Sequence, residues 1–233
     1  RRRDLLDGSF ESLVRDSGVV GVSSNPTIFQ QAIADSNDYD AALQKHAAAG
    51  LSGPALFEAL AVEDIQMACD RLRSVAEKSR GLDGRVSIEV SPRLSHDTAG
   101  TIDEARRLHR SVARENVMIK VPATAAGLPA ITTLLAEGIC VNVTLIFSLA
   151  RYAQVMEAYL GGIEQAAAHG QKLDRIFSVA SFFVSRVDTK VDKAIEQRVA
   201  TLPPGATERA DLEGCRGKLA VANARLAYAA FRE

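Results

Sequence analysis

Short runs rich in β-branched and other apolar residues recur along the chain at Val19–Ser23, Val86–Val90, Val117–Val121, Ile139–Val143 and Ile176–Ala180. Their apolarity is nearly continuous rather than strictly alternating, which is the pattern of strands covered on both faces, as in a parallel sheet. Amphipathic segments of helical period lie between and after them, at Asp103–Ala113, Leu128–Glu137, Leu149–His169 and Val187–Ala200. Parallel neighbours need a crossover connection, so this alternation yields a doubly wound sheet or an α/β barrel; periodicity does not choose between them. Residues 39–80 form a longer crossover of two helices broken at Gly50–Pro54, and Leu202–Gly205 is a turn. Asp211–Arg232 reads as one last long helix.

Helix starts are predicted at two strand ends. Asn25 can cap exposed backbone amides while Pro26 occupies a first-turn position where a missing N–H costs little. Thr101 and Glu104 have capping-box spacing.

The residue that invites chemistry is Lys120, a cation inside the apolar run Val117–Val121. Burial strips an ammonium of hydration and favours the neutral amine, which is the nucleophilic form. A lone strand lysine more often points out at the strand end or pairs with a carboxylate. Here other polar residues occupy equivalent places: Ser23 and Asn25, Glu89, Asn142 and Thr144, Ser181 and Arg186 all fall near strand C-termini. Side chains converge there in parallel α/β folds. Glu89 is a second charge in an apolar strand, and an isolated carboxylate there is costly to desolvate. It reads either as a structural ion pair with Arg93 or Lys120, or as a group that transfers protons through an ordered water.

Composition narrows the field. A formal charge of −1, with both signs interspersed, offers no general attraction for nucleic acid or for an anionic membrane. Arg1, Arg2 and Arg3 read as a solvated helix start without a functional role, because no aromatic residues are interleaved for base stacking. Cys69, Cys140 and Cys215 are odd in number and widely spaced, which argues against a disulfide framework and points to a reducing cytoplasm. No signal-peptide pattern is present, and the most apolar stretch, around 134–150, contains Glu137 and Asn142. His46, His96, His109 and His169 lack ligand-like spacing, so no metal is expected. Met118 and Phe147 read as core filling. The sequence sets no oligomeric state.

The segments Val22–Phe29, Ile88–Thr98, Val117–Thr124, Val141–Ser148 and Ser181–Arg186 resemble, in order, the motifs of the transaldolase family. The resemblance covers nearly the whole chain. It implies a TIM-type (β/α)8 barrel, and a reaction that moves a dihydroxyacetone unit from fructose 6-phosphate to erythrose 4-phosphate. The products would be sedoheptulose 7-phosphate and glyceraldehyde 3-phosphate, in the pentose phosphate pathway. It implies that Lys120 forms the Schiff base while Glu89 and Thr144 hold the water used in imine formation and hydrolysis. Asn25 and Asn142 would bind substrate hydroxyls or the carbinolamine, with Ser181 assisting. Arg186 would grip the sugar phosphate, Ser23 would stand where the family has a hydroxyl residue, and Phe183 would wall the pocket. No metal or organic cofactor is implied.

Two departures from the family pattern accompany this. Family members begin with a further strand carrying an aspartate that acts in carbon–carbon cleavage, and Asp4 and Asp7 do not occupy its motif. The family's last two barrel strands are not evident either. The expectation is therefore that residues 1–233 form one α/β barrel domain that is partial, within a longer protein. Two other functions fit the same residues: a Schiff-base aldolase that releases free dihydroxyacetone, and a noncatalytic sugar-phosphate-binding domain of a larger protein.

Overall fold

The computed structural model describes residues 2–233, so Arg1 lies outside the described residues. Helices α1 (Arg2–Leu6) and α2 (Ser9–Ser17) lead into strand β1 (Gly21–Ser23). Then follow α3 (Pro26–Ala34), α4 (Asp40–Ala48), α5 (Gly53–Lys78) and β2 (Arg85–Glu89). The middle of the chain alternates: α6 (Thr98–Val112), β3 (Val117–Pro122), α7 (Gly127–Ala136), β4 (Val141–Ile146), α8 (Leu149–Ala168) and β5 (Ser178–Phe182). It closes with α9 (Ser185–Ala200), α10 (Thr207–Cys215) and α11 (Leu219–Arg232).

The architecture is α/β, with the five strands in one sheet in the order β1-β2-β3-β4-β5 and every pairing parallel. The register divides the side chains by the pleat. Ser23 pairs with Ser87, Glu89 with Lys120 and Lys120 with Asn142, so these share one face. The intervening Val86, Ile88, Ile119, Val121, Val141 and Val143 turn to the other face and join the helices in the main apolar core. That core explains why the central runs looked continuously apolar: the helix-facing positions of β2, β3 and β4 are all aliphatic, and most of the opposite positions on these strands are buried too.

The sheet is curled, and two contacts that skip a strand measure the curl. Asn142 Nδ2 on β4 reaches Ser87 Oγ on β2 at 3.0 Å, and Lys120 Nζ on β3 reaches the Ser24 carbonyl beyond β2 at 3.2 Å. Strands two apart in a flat sheet lie about 10 Å from each other, too far for a serine and an asparagine to meet. The polar face is therefore concave. β1 and β5 are the edge strands.

One irregularity interrupts β4. Val143 pairs with Ala180, but Ile146 pairs with Phe182, so β4 carries one extra residue there, and Leu145 takes a left-handed backbone with φ of 60°. Ile146 lands in the helix-side core.

Several sequence expectations need correction. β4 starts at Val141 rather than Ile139, because Gly138 N donates to Leu135 O and Ile139 N to Leu134 O in a Schellman closure of α7. β5 starts at Ser178, because Leu173–Arg175 form a 3₁₀ turn. The expected last long helix is two, α10 and α11, parted near Gly217, whose φ is 67°. α6 starts at Thr98, capped by Asp97 Oδ1, which accepts from Gly100 N at 2.9 Å. The Thr101–Glu104 capping box does not form: Thr101 donates to Leu94 O, and Glu104 accepts from Ser91 N. Arg2 is not solvated. It is 5% exposed, its Nε lies 2.6 Å from Asp64 Oδ1, and Tyr39 OH donates to the other oxygen of that carboxylate at 2.6 Å. Arg3 is exposed and pairs with Asp38. No helix among the described residues is long and apolar enough to cross a membrane.

Candidate active site

Lys120 sits on the central strand, near its C-terminal end, on the concave face and 9% exposed. Its Nζ lies 3.4 Å from Glu89 Oε2 and donates to the Ser24 carbonyl at 3.2 Å. That carbonyl belongs to the turn between β1 and α3, which is held to β2 because Ser24 donates to Ser87 O through both Oγ (2.8 Å) and N (3.3 Å). Glu89 ends β2 and is partly buried. Burial pushes its carboxyl above the usual range, against the opposing pull of the Lys120 and Arg186 charges. The ion pair thus forms with Lys120, one of the two partners anticipated.

Asn142 is the register partner of Lys120 on β4 and is 4% exposed. Its Oδ1 accepts from Ser181 Oγ on β5 at 2.8 Å while its Nδ2 donates to Ser87 Oγ. Thr144, two residues further along β4 and 1% exposed, faces the same concavity level with Pro122. Lys120, Glu89, Asn142, Thr144 and Ser181 are accordingly brought together on one face.

The remaining expected residues form the rim. Asn25 Oδ1 accepts from Ile28 N at 2.9 Å as the N-cap of α3, with Pro26 behind it, as the sequence predicts. Ser23 ends β1 on the concave face, exposed at the sheet edge. Phe183 follows β5, where its N–H donates to Ile146 O at 2.9 Å. Its ring packs on Phe147 with centroids 4.8 Å apart, and the exposed Arg186 places its guanidinium carbon 4.9 Å from the same ring centre. Phe147 is therefore not core filling: it is 40% exposed and extends this aromatic wall. Arg186 stands in the first turn of α9, where backbone amides and the helix dipole also favour an anion.

Sequence reasoning missed Ser24 and Ser87. The signal for Ser87 was available, because it lies two residues before Glu89 on one strand and period-two alternation puts both on one face. A cavity of about 190 Å³ opens at the same end, lined by Ser24, Asn25, Phe29, Phe57 and Glu89 among others. Lys120 is not in its wall, so the groove that exposes the amine is the concave face of the sheet. Among the described residues, no three His, Cys, Asp or Glu side chains gather as a metal site. The arrangement offers an amine beside a carboxylate, a gripped amide, a buried hydroxyl, and a cation at the rim.

The model of the family described as transaldolase/fructose-6-phosphate aldolase matches residues 2–233. A protein of Saccharopolyspora erythraea named transaldolase is 52% identical over 232 residues, covering 100% of this chain and 60% of that protein. Transaldolases of Thermobifida fusca and Mycobacterium tuberculosis are 53% and 50% identical, with 61% and 60% of their lengths covered. The chain thus spans about 60% of the length of the curated relatives it matches.

Proposed function

Because the chain belongs to the transaldolase/fructose-6-phosphate aldolase family, we propose that it takes part in transaldolase chemistry, with Lys120 as the Schiff-base lysine. The observation that carries this reading is a lysine amine on the buried concave face, 3.4 Å from a carboxylate whose ionisation burial opposes.

In this mechanism the neutral amine of Lys120 attacks the C2 carbonyl of a ketose phosphate such as fructose 6-phosphate, and the resulting carbinolamine loses water to give an iminium ion. Glu89 and Thr144 hold that water and move its protons. The iminium accepts the electron pair of the C3–C4 bond as it breaks, so an aldose phosphate leaves and a three-carbon enamine remains on Lys120. The enamine then adds to the aldehyde of an acceptor such as erythrose 4-phosphate, and hydrolysis frees the longer ketose phosphate. No residue of this chain is assigned the proton transfer at the C4 hydroxyl. Asn25 and Asn142 bind substrate hydroxyls or the carbinolamine, Ser181 assists, Ser23 contributes a hydroxyl at the edge, Phe183 walls the pocket and Arg186 grips the phosphate. The imine supplies the activation, so the reaction calls on no metal or organic cofactor.

The curl of the sheet and the greater length of the relatives support placing residues 1–233 in one domain of (β/α)8 type, with the five strands as part of that barrel. Three unpaired cysteines are in keeping with a reducing cytoplasm.

Borohydride reduction in the presence of fructose 6-phosphate tests the reading. The expected product is a stable three-carbon adduct on Lys120; its absence sinks the proposal and leaves a sugar-phosphate-binding role. The family description also names aldolases, so free dihydroxyacetone formed without any acceptor is the competing outcome. The aromatic wall at Phe183 leans toward the transferase.

A further inference from the structure

Ser87 is buried on the concave face of β2, two residues deeper than Glu89. Its hydroxyl accepts from Asn142 Nδ2 at 3.0 Å across β3, while Ser181 on β5 donates to Asn142 Oδ1 at 2.8 Å. The amide is therefore gripped at both ends, from strands on either side of it. The carbonyl of Ser87 meanwhile accepts from both the hydroxyl and the N–H of Ser24, whose own carbonyl accepts from Lys120 Nζ. One residue thus ties down the amide beside the reacting amine and the turn that receives that amine's hydrogen bond.

We infer that Ser87 is a positioning residue, which acts through Asn142 to aim its carboxamide at the carbon chain held on Lys120. The inference rests on the Schiff-base reading. A primary amide has two N–H donors, and with one spent on Ser87 the other is left for an oxygen of the bound ligand. Rotation about the terminal bond of asparagine is soft, so an amide held at one end only samples other directions. A donor that is already aimed spends nothing on reorganisation when the carbinolamine forms, which is where electrostatic preorganisation acts.

The test is Ser87→Ala in the full-length protein, alone and combined with Asn142→Ala, read by kcat, KM and the initial rate of borohydride-stable adduct formation with fructose 6-phosphate. Ser87→Ala should lower kcat and the trapping rate on the order of tenfold to a hundredfold, the scale of a slightly misplaced group, with a smaller change in KM. In the Asn142→Ala background it should do nothing further, because the group it aims is gone. Restored trapping in Ser87→Thr, which keeps the hydroxyl, would strengthen the case. Effects of Ser87→Ala and Asn142→Ala that simply multiply would overturn the inference, as would wild-type rates in Ser87→Ala. A Ser87→Ala protein that fails to fold would make the hydroxyl a structural strut and overturn it too. Failure of the wild-type protein to form any adduct would remove the Schiff-base reading itself, and with it this one.

Discussion

Lys120→Met keeps an unbranched side chain of similar length in the same slot and removes only the amine. Two interactions go with it: the hydrogen bond to the Ser24 carbonyl at 3.2 Å and the contact with Glu89 at 3.4 Å. A hydrogen bond involving a charged group is worth about 1.5–3 kcal/mol. Stranding a fully buried charge would cost about 3–5 kcal/mol, but the Glu89 side chain is 16% exposed and burial already favours its protonated form, so its share is smaller. The ammonium's own desolvation penalty disappears. The net loss is about 1–3 kcal/mol, against about 5–15 kcal/mol for an ordinary domain. The variant should therefore fold, with a lowered urea midpoint and an unchanged m-value. Its turnover should fall by at least about a thousandfold, as expected when a covalent nucleophile is removed, with no borohydride-stable adduct. Adding Glu89→Gln should recover part of the lost stability, since the pair is then absent as a whole. A methionine variant that is unfolded without denaturant would make Lys120 a structural cation, and one that still gains the adduct would falsify its assignment as nucleophile.

Four other outcomes are expected. Burial holds the folded Glu89 carboxyl above the ordinary range, so its contribution to stability is full below its unfolded-state value and is lost as pH rises through the folded one; Glu89→Gln should abolish that decline in urea midpoints on the alkaline side of the ordinary carboxylate range. The same shift should put the acid limb of kcat/KM above the usual carboxylate range, and the limb should vanish in the glutamine variant. A Cβ at Gly127 would overlap the Pro122 carbonyl at the end of β3, so Gly127→Ala should destabilise by about 1–3 kcal/mol or more, seen in thermal melts. Asp64→Asn should cost about 1.5–3 kcal/mol in urea unfolding, because the buried Arg2 loses its shorter charged partner and keeps only Glu63 at 3.2 Å and the Leu60 carbonyl.

The strands were legible because the helix-facing residues of β2, β3 and β4 are aliphatic without exception, and the polar face stood out against them at Lys120, Glu89 and Asn142. Strand ends were less so. Ile139 and Cys140 are as apolar as the strand they precede, yet hydrogen bonds back into α7 claim Ile139 for the helix end. The break at Gly217 hides inside a helical pattern, because a lone glycine there looks like any tolerated helix residue. Thr101 and Glu104 had the right spacing for a box, but Asp97 starts the helix a turn earlier and leaves both side chains free for other partners. Burial of Arg2 was beyond reach, since its partner Asp64 lies 62 positions away. Phe147 carries no mark that tells an exposed wall from a core.

Leu145 contributes to this protein by being counted rather than by what it touches. Residues of a pleated strand face in and out in turn, so Thr144 and Ile146 would both look into the groove if the strand alternated evenly through Leu145, the supernumerary residue between the paired positions Val143 and Ile146. The left-handed step at Leu145 inverts the parity, sending the isoleucine to the helices and keeping the threonine with Lys120. An oily side chain is thereby barred from a wet chamber by arithmetic alone. Straightening that step with no residue removed would bring the isoleucine into the groove, while leaving every side chain named in the reaction intact.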